Sequence, residues 1–274
     1  MSDSEDIYAT VRRYYDRNPE REWQRLTRHR FELPVTLHFL EKFVAPGSTV
    51  LDIGGGPGRY AQELTRAGHM VDLFDLSPES VELARRIEAE TGIRSRSHHV
   101  GNATDLSRFE SATYDVVLNL GPLYHLVREV DRQEALAESI RVLKPGGVLA
   151  AGFLSSFAHV YDFLNKDPAL ISEAPGLAER CRASRAYRES DGEHFTDGYL
   201  IEPFAVEPLM SGFPLQKLAM IGAEGVVAQS ERAICRKGEQ IIQAYITFCK
   251  EVADTREAVA SSIHVTWFGR KLDA

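Results

Sequence analysis

The chain has 274 residues, enough for one large domain or two small ones, and its 43% hydrophobic and 26% charged content is that of a water-soluble globular protein. The formal net charge of −8 argues against a general affinity for nucleic acid or anionic membranes, because phosphate binding draws mainly on Lys and Arg. The acidic N-terminus has no apolar signal core, and no stretch approaches the roughly 20 apolar residues that span a bilayer. The three cysteines, Cys181, Cys235 and Cys249, are far apart and suit a reducing compartment. We therefore expect a cytoplasmic protein that binds neither nucleic acid nor a membrane.

The first part of the chain has a helical pattern. Apolar residues at intervals of three and four predict helices between Ile7 and Val44. Pro34 suits the first turn of the second helix, and the sequence Ala-Pro-Gly at 45–47 ends it. Residues 1–46 are therefore predicted to form an N-terminal helical cap.

Strands and helices alternate in the next part of the chain. The predicted strands are Thr49–Ile53, Met70–Asp75, a weak strand at Ser95–Val100, Tyr114–Gly121 and Val148–Phe153. The helices predicted between them are Arg59–His69, Pro78–Gly92 and Asp131–Leu143. Strands separated by helices of this length indicate parallel βαβ units, so residues 47–154 are predicted to form a sheet covered by helices on both faces.

The alternation breaks after Phe153. Residues 155–213 are rich in aromatic residues, Pro and Gly, and we predict that they form an inserted lid over the carboxyl edge of the sheet. The aromatic and histidine side chains of this segment either line an apolar pocket or form the lid's own core: His159, Tyr161, Phe163, Tyr187, His194, Phe195 and Tyr199. Residues 214–274 are predicted to return to the sheet, with a strand in LQKLAMIG, a helix, and a closing strand of alternating polarity in SSIHVTWFGRKL.

The segment VLDIGGGPGRY, Val50–Tyr60, joins the first predicted strand to a loop with four glycines. Missing Cβ atoms let a backbone approach a ligand closely, and its N–H groups can bind an anionic group at the start of the following helix. The charge of Asp52 would repel a phosphate and favour a cationic ammonium group. A tight turn without a ligand is one alternative, and a nicotinamide site is another, because Gly56-x-Gly58-x-x-Ala61 satisfies a loose dinucleotide pattern. A P-loop is excluded, because no Gly-Lys-Ser/Thr follows.

This segment resembles the first motif of class I S-adenosylmethionine (SAM)-dependent methyltransferases, D-x-G-x-G-x-G, carried here by Asp52, Gly54, Gly56 and Gly58. The resemblance implies that the loop, with Gly55, runs under the methionine part of SAM and that Asp52 lies near its ammonium group. It also implies that Asp75, which ends the second strand in LFDLS, accepts the ribose hydroxyls, with Leu76 beside it. Taken alone, Asp75 would serve NAD equally well.

Further segments resemble the same family in the expected order. In VGNATDL, Asn102 occupies a place where the family usually has an acidic residue, and the resemblance implies that Asn102 and Ala103 lie near the adenine. The turn LKPGG before the fifth strand and the closing WFGRK, similar to an antiparallel last strand that nicotinamide folds lack, complete the likeness. It implies a doubly wound, mostly parallel seven-stranded α/β sheet with an antiparallel last strand.

Candidate catalytic residues follow the fourth strand and lie in the N-terminal helices. His125, after GPLY, is either a general base or a histidine at a helix start that faces solvent. Asn119 is expected to face the cofactor as a polar wall. The sequence RRYYD resembles the family's opening helix, which implies that Tyr14 or Tyr15 folds over the cofactor; helix packing is the alternative for both.

Other charged or metal-binding patterns are weaker. The basic stretch REWQRLTRHR, Arg21–Arg30, is predicted to form a solvated or salt-bridged helix face, which would become relevant if the substrate carried a carboxylate. His98 and His99 have no third ligand at metal spacing, so no metal site is predicted.

The class of acceptor is narrowed by missing signatures. The Asp/Asn-Pro-Pro-aromatic signature of nucleic-acid amino-methyltransferases is absent after the fourth strand, where the chain reads NLGPLY, and the cysteines are too scattered for an arsenite methyltransferase. We therefore predict transfer of a methyl group from SAM to an O or N atom of a small organic acceptor, by a chain that could form a homodimer. An NAD-dependent oxidoreductase and a non-catalytic SAM-binding module are the alternatives.

Overall fold

The computed structural model describes residues 8–174, 176–191 and 196–273. Ile7, the first apolar position of the predicted helical pattern, lies outside these ranges, as do His194 and Phe195 of the predicted lid. The strands within the described ranges are β1 (Thr49–Ile53), β2 (Met70–Asp75), β3 (Ser97–Val100), β4 (Tyr114–Asn119), β5 (Leu143–Ser155), β6 (Arg185–Tyr187), β7 (Gly198–Ile201), β8 (Leu215–Gly222) and β9 (His264–Lys271).

Helices of varied length connect and flank these strands. They are α1 (Ala9–Arg17), α2 (Pro19–Trp23), α3 (Arg25–Arg28), α4 (Glu32–Phe43), α5 (Arg59–Arg66), α6 (Pro78–Thr91), α7 (Glu129–Val142), α8 (Ala158–Lys166), α9 (Leu177–Cys181), α10 (Val206–Met210), α11 (Glu231–Cys235), α12 (Glu239–Val252) and α13 (Arg256–Ser261). Short 3₁₀ helices occur at Pro122–Tyr124, Pro168–Glu173, Glu189–Asp191, Pro203–Ala205 and Gly225–Ser230. None of the helices in the described residues combines the length and apolarity that crossing a lipid bilayer requires.

The strands form a single mixed sheet. Strands β3, β2, β1, β4 and β5 lie side by side in that order, and each neighbouring pair is parallel. The last strand, β9, is antiparallel to both β5 and β8 and lies between them. The predicted fold class, a mostly parallel doubly wound sheet with an antiparallel last strand, is therefore confirmed.

The sheet has nine strands in the described residues instead of the predicted seven. The extra two, β6 and β7, are an antiparallel pair that comes from the predicted lid segment. Strand β7 pairs with Leu154 and Ser155 at the carboxyl end of β5. Since β9 occupies the other edge of β5 as far as Leu154, β7 takes the edge that β4 leaves free after Asn119.

Alternate residues of the central strands supply two hydrophobic layers, one on each face of the sheet. On one face, Val50 and Val116 pack with side chains of α4, α5 and α12. On the other face, Leu51 and Val117 pack with side chains of α7 and α10. Because both faces are buried, the polar ends of the parallel strands are left to form a site at the carboxyl edge.

Candidate active site

A cavity of about 1030 Å³, which includes open space at its mouth, lies at the carboxyl edge of the sheet. Its walls come from the loop after β1, the ends of β2 and β3, the turn after β4 and the N-terminal helices α1 to α4. The lining residues are Tyr8, Val11, Tyr15, Glu22, Trp23, Arg25, Leu26, Glu32, Asp52, Ile53, Gly54, Gly55, Gly56, Pro57, Arg59, Tyr60, Phe74, Asp75, Leu76, Gly101, Asn102, Ala103, Leu120, Gly121, Pro122, Tyr124, His125 and Leu126.

The glycine loop forms the floor of this cavity. Gly54 and Gly56 have φ angles of +67° and +54°, in the left-handed region that favours glycine. A Cβ atom on Gly54 would overlap the ring of Pro122, so the missing side chain lets the turn after β4 approach the loop. Above Gly56 the space is open apart from Glu22 Cγ, which lies 3.9 Å from an ideal Cβ position. The loop therefore offers a ligand bare backbone at Gly56.

The N–H groups of the loop do not form the anion site that the sequence suggested. The N–H groups of Gly54 and Gly55 donate to the carbonyl of Phe74 at 2.7 and 3.3 Å, and the N–H of Gly56 donates to Asp75 Oδ2 at 2.8 Å. These N–H donors already have partners. The glycines therefore contribute by letting a ligand approach the backbone closely, while the charges in the cavity come from side chains.

Asp52 is the most deeply buried charged group of the cavity, with 2% of its surface exposed. Its Oδ2 atom is fully buried and has no hydrogen-bond partner among the described residues. Burial raises the pKa of this carboxyl to about 7, and the neighbouring charge of Asp75 adds to the rise. An unpaired buried carboxylate is costly, so this atom is suited to a cationic ligand.

Asp75, at the end of β2, connects the two neighbouring loops. Its Oδ2 accepts from Gly56 N–H and its Oδ1 accepts from Ser77 N–H, both at 2.8 Å. Burial raises the pKa of Asp75 to about 6, although these two hydrogen bonds act in the opposite direction. Leu76, Asn102 and Ala103 line the cavity next to it, as expected for one continuous binding surface.

Tyr15 and His125 form a hydrogen-bonded pair in the wall of the cavity. The Tyr15 hydroxyl lies 2.7 Å from His125 Nε2, and the Nδ1 atom of His125 lies 3.0 Å from the carbonyl oxygen of Asp197. A carbonyl oxygen only accepts, so Nδ1 carries the proton and, in the neutral ring, Nε2 accepts the Tyr15 O–H. Burial lowers the pKa of His125, against the effect of the Asp197 carbonyl, so the ring is neutral near pH 7. The sequence left Tyr14 and Tyr15 as alternatives; the structure places Tyr15 at the cavity, and Tyr14 is not among the lining residues.

Comparison with known proteins identifies the part of the chain that builds this cavity floor. Residues 50–147 match the family model described as a methyltransferase domain, which covers the glycine loop, Asp75, Asn102 and His125. This part of the chain is a methyltransferase domain.

Full-length relatives support this methyltransferase assignment over part of the chain. A ubiquinone biosynthesis O-methyltransferase from Xanthomonas axonopodis pv. citri (strain 306) is 32% identical over 147 residues, which are 53% of this chain and 56% of that protein. The matched region thus spans about half the length of the curated relatives.

Solved structures of methyltransferases share the fold. A SAM-dependent methyltransferase from Methanosarcina mazei superposes with a TM-score of 0.57 at 18% identity, covering 86% of this chain and 98% of that one. The 1,6-didemethyltoxoflavin-N1-methyltransferase from Burkholderia thailandensis, solved with 1,6-didemethyltoxoflavin and S-adenosylhomocysteine, has a TM-score of 0.60 at 16% identity, covering 100% and 92%. At these identities the likeness shows the fold alone.

The cofactor of this methyltransferase class is SAM, and the residues of the cavity fit it. The buried Asp52 Oδ2 has no hydrogen-bond partner among the described residues, and an ammonium group would supply one. The open backbone at Gly56 leaves room for a ligand chain, and a side chain on Gly55 would overlap Leu73 and Asp52. These features supply both the charge and the space that the methionine part of SAM requires.

Asn119 does not occupy the place that the methyltransferase resemblance suggested. Its amide donates to Ser139 Oγ of α7 at 3.1 Å, the residue is fully buried, and it is not among the cavity-lining residues. The reason is strand alternation: Leu118 points to the face covered by α4, α5 and α12, so Asn119 points to the opposite face, against α7. The expected polar wall at this position is thereby corrected.

The sequence reasoning missed a charged cluster on the cap side of the methyltransferase cavity. Arg25 donates from Nε to Glu22 at 2.6 Å and from both terminal nitrogens to Glu32 at 2.6 and 3.1 Å. Behind it, His264 of β9 donates from Nδ1 and from its backbone N–H to Glu224. Burial alone would lower the pKa of His264, but the carboxylates of Glu32 and Glu224 outweigh it and raise that pKa to about 8. At Arg25, therefore, the basic stretch is salt-bridged, which is one of the two predicted alternatives. The spacing of Glu22 and Arg25, one helical turn apart, is the sequence signal that could have indicated this ion pair.

One trio of the described residues could supply metal ligands: Glu32, Glu224 and His264, whose ligand atoms all lie within 4.8 Å of one another. Each of these groups already has an ionic partner within the cluster. The absence of a metal site therefore stays a prediction.

The predicted lid contributes to the site indirectly. None of its described residues lines the cavity, and Tyr161 and Tyr187 are buried within the protein, which agrees with the lid-core alternative for those two. The segment reaches the site through Asp197, which accepts from His125, and Gly198, where a side chain would overlap Tyr187. The wall that faces the glycine loop comes from the N-terminal helices instead.

Proposed function

We propose that this protein transfers a methyl group from SAM to an oxygen or nitrogen atom of a small organic acceptor. One observation carries the proposal: a buried carboxylate with one unpartnered oxygen, Asp52 Oδ2, and a tyrosine–histidine pair, Tyr15 and His125, line the same cavity. The first is a counter-ion for a cationic cofactor, and the second is a proton acceptor for an attacking group.

The cofactor-binding roles follow from the position of each group. Asp52 would hold the ammonium group, and the backbone of Gly54, Gly55, Gly56 and Gly58 would lie against the methionine chain. Asp75 would accept the ribose hydroxyls, while Leu76, Asn102 and Ala103 would contact the adenine; all but Gly58 line the cavity. Asn119 has no part in this proposal.

The Tyr15–His125 pair would move a proton away from the acceptor. When bound, SAM supplies a methyl group on a positively charged sulfur. A proton released by the acceptor would pass to the Tyr15 oxygen as the Tyr15 proton moves over 2.7 Å to His125 Nε2. The Asp197 carbonyl, 3.0 Å from Nδ1, would stabilise the resulting imidazolium.

A small acceptor is favoured by the enclosure of the cavity. Helices α1 to α4 supply seven lining residues opposite the glycine loop, and most of the wall is apolar or aromatic. A curated relative bears the name O-methyltransferase and a fold neighbour the name N1-methyltransferase, so either atom suits the proposal. A homodimer and a cytoplasmic location stay predictions.

The proposal is tested by binding and by product. Calorimetry with SAM and with NAD should give binding of SAM alone, and incubation with methyl-labelled SAM and metabolite extracts should give a labelled small molecule that mass spectrometry identifies. Binding of NAD without SAM would replace the proposal with an oxidoreductase. Binding of SAM without a labelled product from any extract would indicate a non-catalytic module.

A further inference from the structure

The cavity carries more negative than positive charge. Among the described lining residues, the carboxylates are Glu22, Glu32, Asp52 and Asp75, and the guanidinium groups are Arg25 and Arg59. Two negative charges are therefore in excess when all four carboxylates are ionised. SAM has a sulfonium, an ammonium and a carboxylate, hence a net charge of +1, so its binding leaves one negative charge in the cavity.

Glu22 is a cavity-lining carboxylate to which the proposed SAM contacts assign no role. Arg25 is shared between two carboxylates, since it is bidentate to Glu32 and donates to a single oxygen of Glu22. His264 also acts on Glu32 but is shared with Glu224, so Arg25 and His264 together leave one of the three carboxylates uncompensated. The Glu22 side chain is the most exposed of the three, at 24%, against 9% for Glu32 and 1% for Glu224. The uncompensated charge therefore lies at Glu22, on the side open to a ligand.

The position of Glu22 joins the two halves of the site. Its Cγ lies 3.9 Å from the ideal Cβ position of Gly56, which places it over the glycine loop. Its charge also acts on the Tyr15 hydroxyl and on the His125 ring: burial mainly raises the pKa of Tyr15 and lowers that of His125, and the Glu22 charge adds to the first effect and opposes the second. A ligand group at Glu22 would thus lie between the cofactor loop and the proposed proton acceptor.

Aromatic rings surround the same space. Tyr15, Tyr60 and Tyr124 line the cavity together with Glu22. Aromatic faces attract cations and accept no anion, and they exclude water that would weaken the charge of Glu22. An acidic group and aromatic rings that line one cavity together suit an organic cation.

We infer that the methyl acceptor is an organic cation, an amine that is positively charged near neutral pH, and that the Glu22 carboxylate binds its charged group. The inference rests on the proposed methyltransferase function and narrows its substrate class. Arg25, the cavity-lining arginine of the basic stretch, is engaged by Glu22 and Glu32 and so is not free for an acceptor carboxylate. The other lining guanidinium, Arg59, which stacks on Trp23, is left for the carboxylate of SAM.

The charge of the acceptor can be tested before its identity is known. A metabolite extract is separated at pH 7 into a fraction retained by a cation exchanger, one retained by an anion exchanger and an unretained one, and each is incubated with the full chain and methyl-labelled SAM. The label should appear with the cation-exchange fraction. Label arising only from the anionic or unretained fraction overturns the inference and leaves the methyltransferase function standing, whereas no label in any fraction overturns both.

The role of Glu22 is tested with the acceptor from that fraction. Glu22→Gln should raise the KM for the acceptor about tenfold or more, because a charged hydrogen bond is lost, and should leave the Kd for SAM within about twofold. Glu20→Gln is the matched control on the same helix, because Glu20 is exposed, pairs with Arg86 and does not line the cavity. A weakened SAM affinity with an unchanged acceptor KM would assign Glu22 to the cofactor and overturn its role in acceptor binding.

Discussion

At the scale of single residues, the main feature of the cavity is its buried carboxyl groups, whose negative charge the surrounding protein stabilises only in part. The pKa of Asp52 is raised to about 7 and that of Asp75 to about 6, in both cases chiefly by burial. Carboxyl groups with such raised pKa values favour the binding of a cation, because the positive charge of the ligand stabilises their ionised form.

The affinity for SAM should therefore depend on pH. Protonation of Asp52 below its pKa of about 7 removes the charge that binds the ammonium group, so affinity should fall roughly five- to tenfold between pH 7.5 and pH 6. This interval lies below the usual α-amino pKa of about 7.7–8.0, so most of the ligand is an ammonium, and its protonation increases toward pH 6, opposite to the expected loss of affinity. Calorimetry at pH 6, 6.5, 7 and 7.5 measures the slope, and Asp52→Asn should bind weakly with little slope. An equal slope in Asp52→Asn would assign the titration to another group.

Removal of one hydroxyl tests the proposed proton path. Tyr15→Phe abolishes the bond to His125 Nε2 and should lower kcat about 10- to 100-fold, the usual contribution of a positioned proton acceptor being 10²–10⁴. The Kd for SAM should stay within about twofold. Tyr14→Phe, one residue away and outside the cavity lining, is the control and should keep kcat near that of the wild type. An active Tyr15→Phe would exclude the pair from catalysis.

At the scale of secondary-structure elements, the site depends on two loops that touch. The glycine loop after β1 and the 3₁₀ turn Pro122–Tyr124 after β4 meet because Gly54 has no side chain. Parallel neighbouring strands bring both loops to the same edge of the sheet, and the missing Cβ sets how close they come.

A matched pair of glycine substitutions separates this contact from backbone strain. Gly54 and Gly47 have similar φ angles of +67° and +74°, but an alanine at Gly47 meets no atom within 4 Å, whereas one at Gly54 would overlap Pro122. Gly47→Ala should cost about 1–2 kcal/mol of unfolding free energy, and Gly54→Ala should cost a further 1–3 kcal/mol. Urea unfolding gives both values, and calorimetry should show that only Gly54→Ala loses SAM affinity. Equal losses in stability and binding for the two variants would mean that the loop contact does not shape the site.

At the scale of the whole molecule, the two ends of the chain are joined behind the cavity. Arg25 and Glu32 belong to the N-terminal helices, and His264 begins the last strand. Glu224 accepts from His264, and His264 Nδ1 lies 3.6 Å from Glu32, so one ion network holds the cap against the core.

This network should make stability depend on pH in a defined direction. The pKa of His264 is raised to about 8 in the folded protein, against about 6.5 when unfolded, so its contribution is complete below pH 6.5 and is lost as pH rises through 8. Urea unfolding should show a loss of about 2 kcal/mol between pH 6.5 and pH 9. His264→Gln should be less stable at pH 6.5 and lack this loss. His29→Gln is the control: it changes a histidine whose side chain is 47% exposed and should keep the loss of stability between pH 6.5 and pH 9. A wild-type stability that rises over this interval would contradict the network.

The sequence predicted the parallel core and the cofactor loop well, for local reasons. The spacing of apolar residues that distinguishes strands from helices is visible over a few neighbouring positions. Asp52 and the glycines form a contiguous motif, so its chemistry can be inferred before the fold is known. The closing WFGRK, through its resemblance to the family's last strand, indicated the antiparallel last strand, which the structure confirms. The LKPGG segment, predicted as a turn before the fifth strand, lies instead within β5.

The rest depended on contacts between distant segments, and only the tertiary structure decided it. Strand register decides which face of β4 Asn119 occupies and that β7 pairs with β5. Helix packing decides that Tyr15, and not Tyr14, lies at the cavity. The charge left at Glu22 arises only because one guanidinium, Arg25, meets two carboxylates inside a cavity. By itself the sequence predicted a SAM site at the loop, because the glycine motif and the segments that resemble the methyltransferase family are local. The tertiary structure decided which side chains face that ligand, because burial and pairing are properties of residues brought together from far apart in the chain.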